Sequence, residues 1–156
     1  MGIKRTIYIF ILGAAMLCQG CSQVQSDLEK VELTTLDGEQ VNMNDLKGKI
    51  VFMNFWATWC KPCIQEMPTI AKAQQQLKSE DIVFIFPSEE DEDLILAFKE
   101  KKDFNFNYVR ARNVSALNIQ ALPTTFIFNK NGERVFSEAG FRDWSTPENL
   151  ALIRGN

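Results

Sequence analysis

The chain has 156 residues, 46% of them hydrophobic, with 17 Lys and Arg against 20 Asp and Glu and no histidine. This composition supports a packed globule rather than a disordered chain, and the net charge of −3, without a basic stripe, argues against nucleic acid as a partner. The chain has no histidine, and two of its four cysteines, Cys18 and Cys21, lie in a segment that reads as a signal, so a mononuclear zinc site would need two carboxylates or a second chain to complete its ligand set.

At the start of the chain, Lys4 and Arg5 precede the apolar run 7–12, which continues through residue 17. The apolar stretch is about a dozen residues, short of the ~20 that span a bilayer, and reads as a secretion signal. Its end, Leu17-Cys18-Gln19-Gly20-Cys21, resembles a bacterial lipoprotein signal. Gly20 and Cys21 fit the small residue and the acylated cysteine, whereas Cys18 and Gln19 depart from the commonest residues at their positions. The alternative is an ordinary cleaved signal or a short uncleaved anchor. On this reading residues 1–21 are a signal segment, 22–30 a polar tether and 31–156 a single domain. A lipid on Cys21 would hold the domain at a bacterial membrane, facing the periplasm or extracytoplasmic space. Loss of Cys18 would then leave Cys60 and Cys63 as the only free thiols.

Strand and helix signals alternate along the domain. Residues 31–36 and 40–42 flank Asp37-Gly38, a strong hairpin signature. The apolar run 50–56 reads as a buried strand, and 64–77 as a helix that Pro68 should kink by deleting a backbone donor. Residues 82–86 form a second apolar strand, ended by Pro87. The acidic run Glu89-Glu90-Asp91-Glu92-Asp93 opens the next helix, whose apolar positions include Leu94, Ile95, Ala97 and Phe98. Those charges complement the helix dipole and otherwise read as a solvated face. The alternation Phe104-Asn105-Phe106-Asn107-Tyr108 is a half-buried strand or a packed loop. Residues 124–128 form a strand, Asn131-Gly132 turns it, 133–137 returns beside it, and 146–153 closes the chain as a short helix with Pro147 in its first turn. The pattern predicts an α/β fold, a mixed central sheet flanked by helices with an N-terminal β-hairpin extension.

Between the buried strand and the first helix lies Trp59-Cys60-Lys61-Pro62-Cys63. Two thiols one turn apart at such a junction can close a disulfide without moving the backbone. The free N–H groups and positive dipole end of the helix favour thiolate, and sites of this kind lower a cysteine pKa from about 8.5 to roughly 3.5–7.5. A permanent structural disulfide is the plain alternative, but so short a span would barely constrain the unfolded chain. The pattern predicts a dithiol redox centre.

The string Asn54-Phe55-Trp56-Ala57-Thr58-Trp59-Cys60-Lys61-Pro62-Cys63, followed by Glu66 and Pro68, resembles the active-site region of the TlpA/ResA-like family. Those proteins are membrane-tethered, thioredoxin-fold thiol-disulfide oxidoreductases of the bacterial envelope. Further on, Ala121-Leu122-Pro123-Thr124-Thr125-Phe126-Ile127-Phe128 with Asn131-Gly132 resembles the segment that carries the thioredoxin fold's cis-proline. The resemblance covers residues 30–153 and implies a thioredoxin fold that needs no cofactor. It implies that Cys60, the more exposed thiol, forms a mixed disulfide with a protein substrate, which Cys63 resolves. Pro62 stiffens the turn, and Lys61 either tunes the nucleophile or merely adds solubility. Trp59 lies against the thiols, unless it is an ordinary core tryptophan. Pro123 is expected to be cis and beside the thiols, with Leu122 pairing an extended stretch of substrate. Many cytoplasmic thioredoxins bury an aspartate where this chain has Asn54, which leaves Glu66 as the nearest proton acceptor, unless it is a surface residue of an amphipathic helix. Proline before the second cysteine, with no histidine between the thiols, favours a reductase. Such an enzyme would be recharged by a membrane thiol electron donor and would act on apocytochrome c thiols or other misoxidised envelope proteins.

Three rival functions are weighed against this one. A thioredoxin-fold peroxidase would want a threonine three residues before its reacting cysteine, where this chain has Ala57. A copper-delivering relative would have three residues between its cysteines and a distant histidine. A binding adaptor with a non-catalytic dithiol would hold partners through the 104–108 stretch.

Overall fold

The computed structural model describes residues 30–155; the signal segment, Cys21 and the tether through residue 29 lie outside the described residues. Chain order is β1 (Glu32–Thr35), β2 (Ile50–Phe55), α1 (Lys61–Gln76), β3 (Ile82–Ser88), α2 (Glu92–Lys101), β4 (Tyr108–Arg112), β5 (Thr124–Phe128), β6 (Arg134–Ala139) and α3 (Pro147–Arg154). The strands form one sheet in the order β1-β4-β3-β2-β5-β6. Strand β2 lies inside it, parallel to β3 and antiparallel to β5.

Period-two alternation splits β2 between two cores. Val51, Met53 and Phe55 face one side, while Phe52 and Trp56 face the other. The crossovers β2-α1-β3 and β3-α2-β4 both step in one direction across the sheet. Because such connections share one hand, α1 and α2 fall on the same face. There Phe52, Phe86, Met67, Ile70, Ile95 and Phe98 pack together, and α3 joins them through Leu150 and Ile153. The opposite face carries no described helix longer than a turn; Val31, Leu46, Val114 and Leu117 cover it.

Several boundaries differ from the sequence reading. Strand β3 runs through Pro87 to Ser88 instead of ending before it. The carbonyl of Pro87 still accepts from Trp56 N at 3.2 Å, which holds the strand beside the chain leaving β2. Helix α1 is one continuous element with the exposed Pro68 inside it. The N-terminal hairpin turns at Asp37-Gly38, but its return limb is a single bridge, Thr34 to Gln40, and β1 pairs along its length with β4. Strand β4 begins at Tyr108, the last residue of the aromatic alternation, and residues 104–107 are packed loop. In that loop Phe104 stacks on Phe106, which stacks on Phe86. In α2 only Ile95 and Phe98 are buried; Leu94 and Ala97 are exposed.

Candidate active site

Cys60 is the N-cap of α1, and its Sγ accepts the N–H of Cys63 at 3.3 Å. The two cysteines are joined in a disulfide, with Cα atoms 5.3 Å apart. Pro62 sits in the first helical turn, where a proline's missing donor costs nothing. Both thiols are buried, and Cys60 is the more exposed only by a narrow margin: it is 2% accessible and Cys63 1%. The reason lies in the turn before the helix. Cys60 N donates to Ala57 O at 3.0 Å, which folds the chain back and carries Cys60 into the core beside Trp56. Trp59, at the middle of that turn, points out instead and is 73% exposed, so it is no core tryptophan. Lys61 and Pro62 are exposed as well.

Glu66 lies one turn beyond Cys63 on the same helix and is fully buried, not a surface residue. Its Oε1 accepts from Trp144 Nε1 at 2.6 Å and from Asn54 Nδ2 at 3.0 Å, and its Oε2 from Arg142 N at 3.3 Å. Asn54 also donates to Thr125 Oγ1 at 2.9 Å, so the strand under the helix is tied to β5. Burial pushes the Glu66 carboxyl up to about 7, against the pull of these three donors, of which Trp144 is the strongest. A carboxyl poised near neutrality can both take and return a proton at physiological pH. Asn54 offers no such proton site, and its amide serves as a donor to Glu66.

The Leu122–Pro123 peptide is cis, and Pro123 is buried with its carbonyl accepting from Gly140 N at 2.7 Å. Pairing of Thr124 with Phe55 sets this end of β5 beside the point where β2 leaves for the cysteine loop. Leu122 and Trp59 line one open cleft, whose wall continues through Ala121, Ile119 and Phe55. Among the described residues no group of three or more acidic or cysteine side chains gathers as a metal site, and no helix is long and apolar enough to cross a membrane. The sequence reading missed Trp144, Arg142 and Glu90. Glu90 belongs to the acidic run taken there as a solvated face, yet it bonds Thr58 in the cysteine loop at 2.6 and 2.7 Å. Its neighbours Asp91 and Glu92 hold Arg110 at 2.7 and 2.9 Å.

Known proteins resemble this chain in sequence and in fold. The AhpC/TSA family model matches residues 24–134. The thioredoxin-like protein YneN of Bacillus subtilis (strain 168) is 40% identical over 105 residues, 64% of this chain and 62% of its own length. The thiol-disulfide oxidoreductase ResA of Bacillus cereus (strain ZK / E33L) is 32% identical over 117 residues, 72% of this chain and 68% of its own. The thiol:disulfide interchange protein of Chlorobium tepidum TLS, a thioredoxin family protein, superposes with a TM-score of 0.66 at 24% identity, over 78% of this chain and 91% of that one. The last match carries the fold, and the first three carry the lineage: the chain belongs to the AhpC/TSA family, as a ResA-like thiol-disulfide oxidoreductase of the thioredoxin fold with a Cys60–Cys63 pair.

Proposed function

We propose that this protein is a lipid-tethered reductase of protein disulfides in the bacterial envelope. The observation that carries the reading is the pairing of a helix-capping Cys60 with a buried Glu66 one turn beyond Cys63. In the reduced enzyme the Cys60 thiolate attacks one sulfur of a substrate disulfide, forming a mixed disulfide and expelling the other sulfur as a thiolate. Cys63 then gives its proton to Glu66 and attacks Cys60 Sγ. The substrate leaves with two thiols, and the enzyme is left with the disulfide seen here. Two electrons have passed to the substrate, and a membrane dithiol donor restores them. Leu122, beside Pro123, offers backbone to an extended stretch of substrate, and Trp59 lines the same cleft. Disulfides of apocytochrome c belong to the class such a site would accept. A lipid on Cys21 and the tether of residues 22–30 would hold the domain at the membrane.

The deciding measurement is the reduction potential of the Cys60–Cys63 couple against defined thiol buffers. A value near thioredoxin's, about −270 mV, supports the reductase; one near DsbA's, about −120 mV, would reverse the direction of electron flow. In parallel, a Cys63→Ser variant should accumulate a mixed disulfide through Cys60. Failure to do so would remove Cys60 as the nucleophile.

A further inference from the structure

The loop that delivers Cys60 is fastened to the end of β3 at three points. Trp56 N donates to Pro87 O at 3.2 Å, and Trp56 Nε1 to Phe86 O at 3.2 Å. The third point is a side chain. Glu90 turns back from the connection between β3 and α2, and its Oε2 accepts from Thr58 N at 2.6 Å while its Oε1 accepts from Thr58 Oγ1 at 2.7 Å. The carboxylate is itself held in place. Ser88 Oγ, buried at 1% exposure, donates to Glu90 Oε2 at 3.2 Å and accepts from Glu90 N at 3.3 Å.

Thr58 and Trp59 are the two central residues of the turn closed by Cys60 N and Ala57 O. Glu90 therefore grips both hydrogen-bond donors of the residue that precedes Trp59 in the turn. An ionised acceptor makes short, strong bonds of this kind, about twice as strong as neutral ones, and fixes direction as well as distance. The face it orients is the one that counts for a macromolecular substrate: exposed Trp59 and Leu122 line one cleft, with Glu90 itself in the wall. Helix capping keeps Cys60 Sγ on Cys63 N without any help from Glu90.

We infer that Glu90 is a positioning residue for protein substrates: through Thr58 it sets the Trp59 turn against Leu122, so that an extended polypeptide disulfide can dock over Cys60. The inference rests on the reductase reading above. It separates two activities. Reduction of a protein disulfide depends on the docked geometry, whereas reaction of the reduced enzyme with a small aromatic disulfide depends on Cys60 alone.

The test compares reduced parent, Glu90→Ala and Glu90→Gln enzymes on insulin and on 5,5′-dithiobis(2-nitrobenzoate). Glu90→Ala should lose about tenfold in kcat/KM for insulin, carried by KM, the size of one charge-assisted hydrogen bond, and stay within about twofold of the parent on the small disulfide. Glu90→Gln, whose amide oxygen still accepts from Thr58 N, should recover most of the insulin rate. Equal rates for parent and Glu90→Ala on insulin would overturn the inference. So would equal losses on both substrates, because Glu90 would then support Cys60 or the fold rather than docking. A parent inactive on both substrates would instead overturn the reductase reading itself.

Discussion

Replacing Glu66 by Gln isolates the one buried acid of the site. Its carboxyl titrates at about 7 in the folded protein against 4.5 for the free side chain, because burial penalises the charge more than Trp144, Arg142 N and Asn54 stabilise it. A shift of about 2.5 units at 1.36 kcal/mol per unit is about 3 kcal/mol of linkage. The sign follows from the direction: the folded state holds the proton more tightly, so the stability Glu66 supports is complete below pH 4.5 and is lost as pH rises through about 7. Glutamine imitates the protonated form. It keeps an acceptor oxygen for Asn54 and Trp144 and carries no charge at any pH. Parent and variant should therefore be equally stable near pH 4.5, and the variant should be more stable by up to about 3 kcal/mol above about pH 8. Urea denaturation of the oxidised proteins across that range measures the difference, and every other titrating group cancels between them. A difference that stays flat with pH, or grows in the parent's favour, would refute the argument. The stability gained should come with lost activity, since Gln cannot accept the Cys63 proton. Exchange kinetics unchanged between about pH 5 and 9 would remove Glu66 from the reaction.

How far the sequence revealed this site depends on how local each signal is. Cys60, Cys63 and the strand and helix around them are fixed by spacing and periodicity over a few residues, and they appear where the pattern put them. Pro123 sits in an equally local string. The partners of Glu66 are another matter. Trp144 is 78 positions away and Arg142 is 76, and both reach the helix only because the chain after β6 folds back across it. Nothing in Asp143-Trp144-Ser145 marks that tryptophan as a hydrogen-bond donor to a buried acid. Glu90 was hidden for a different reason: five acidic residues in a row look alike in sequence, and only the end of β3 decides which one turns inward. Strand β4 escaped notice because Arg110 and Arg112 break its apolar run, although Val109 and Ala111 are fully buried between them. How deeply Cys60 is buried is not legible, because the turn from Ala57 to Cys60 has no signature in its residues.

Two further substitutions probe the same network. Asn54→Asp sets a second carboxyl 3.0 Å from Glu66 Oε1 in place of a donor, so the pair should share one proton well above neutrality. Its stability deficit against the parent should widen with rising pH to roughly 3 kcal/mol or more, and a deficit independent of pH would refute the like-charge argument. Trp144→Phe is the cleaner probe, because it keeps a ring against Phe52, which the indole meets edge-on at 4.8 Å, and deletes only the 2.6 Å bond to Glu66. Since that bond is the largest of the influences that lower the Glu66 pKa, its loss should move the titration above 7 and shift the pH window of lost stability upward. Below pH 4.5 the acid is neutral and the variant should lose only about 1 kcal/mol, the worth of a neutral hydrogen bond. Once Glu66 ionises the loss should reach about 1.5–3 kcal/mol, because the missing donor then faced a charge. The same urea titration reads both limits. A deficit equal at the two ends would mean that the indole contributes packing alone and that Glu66 owes its ionisation to Asn54 and the Arg142 backbone.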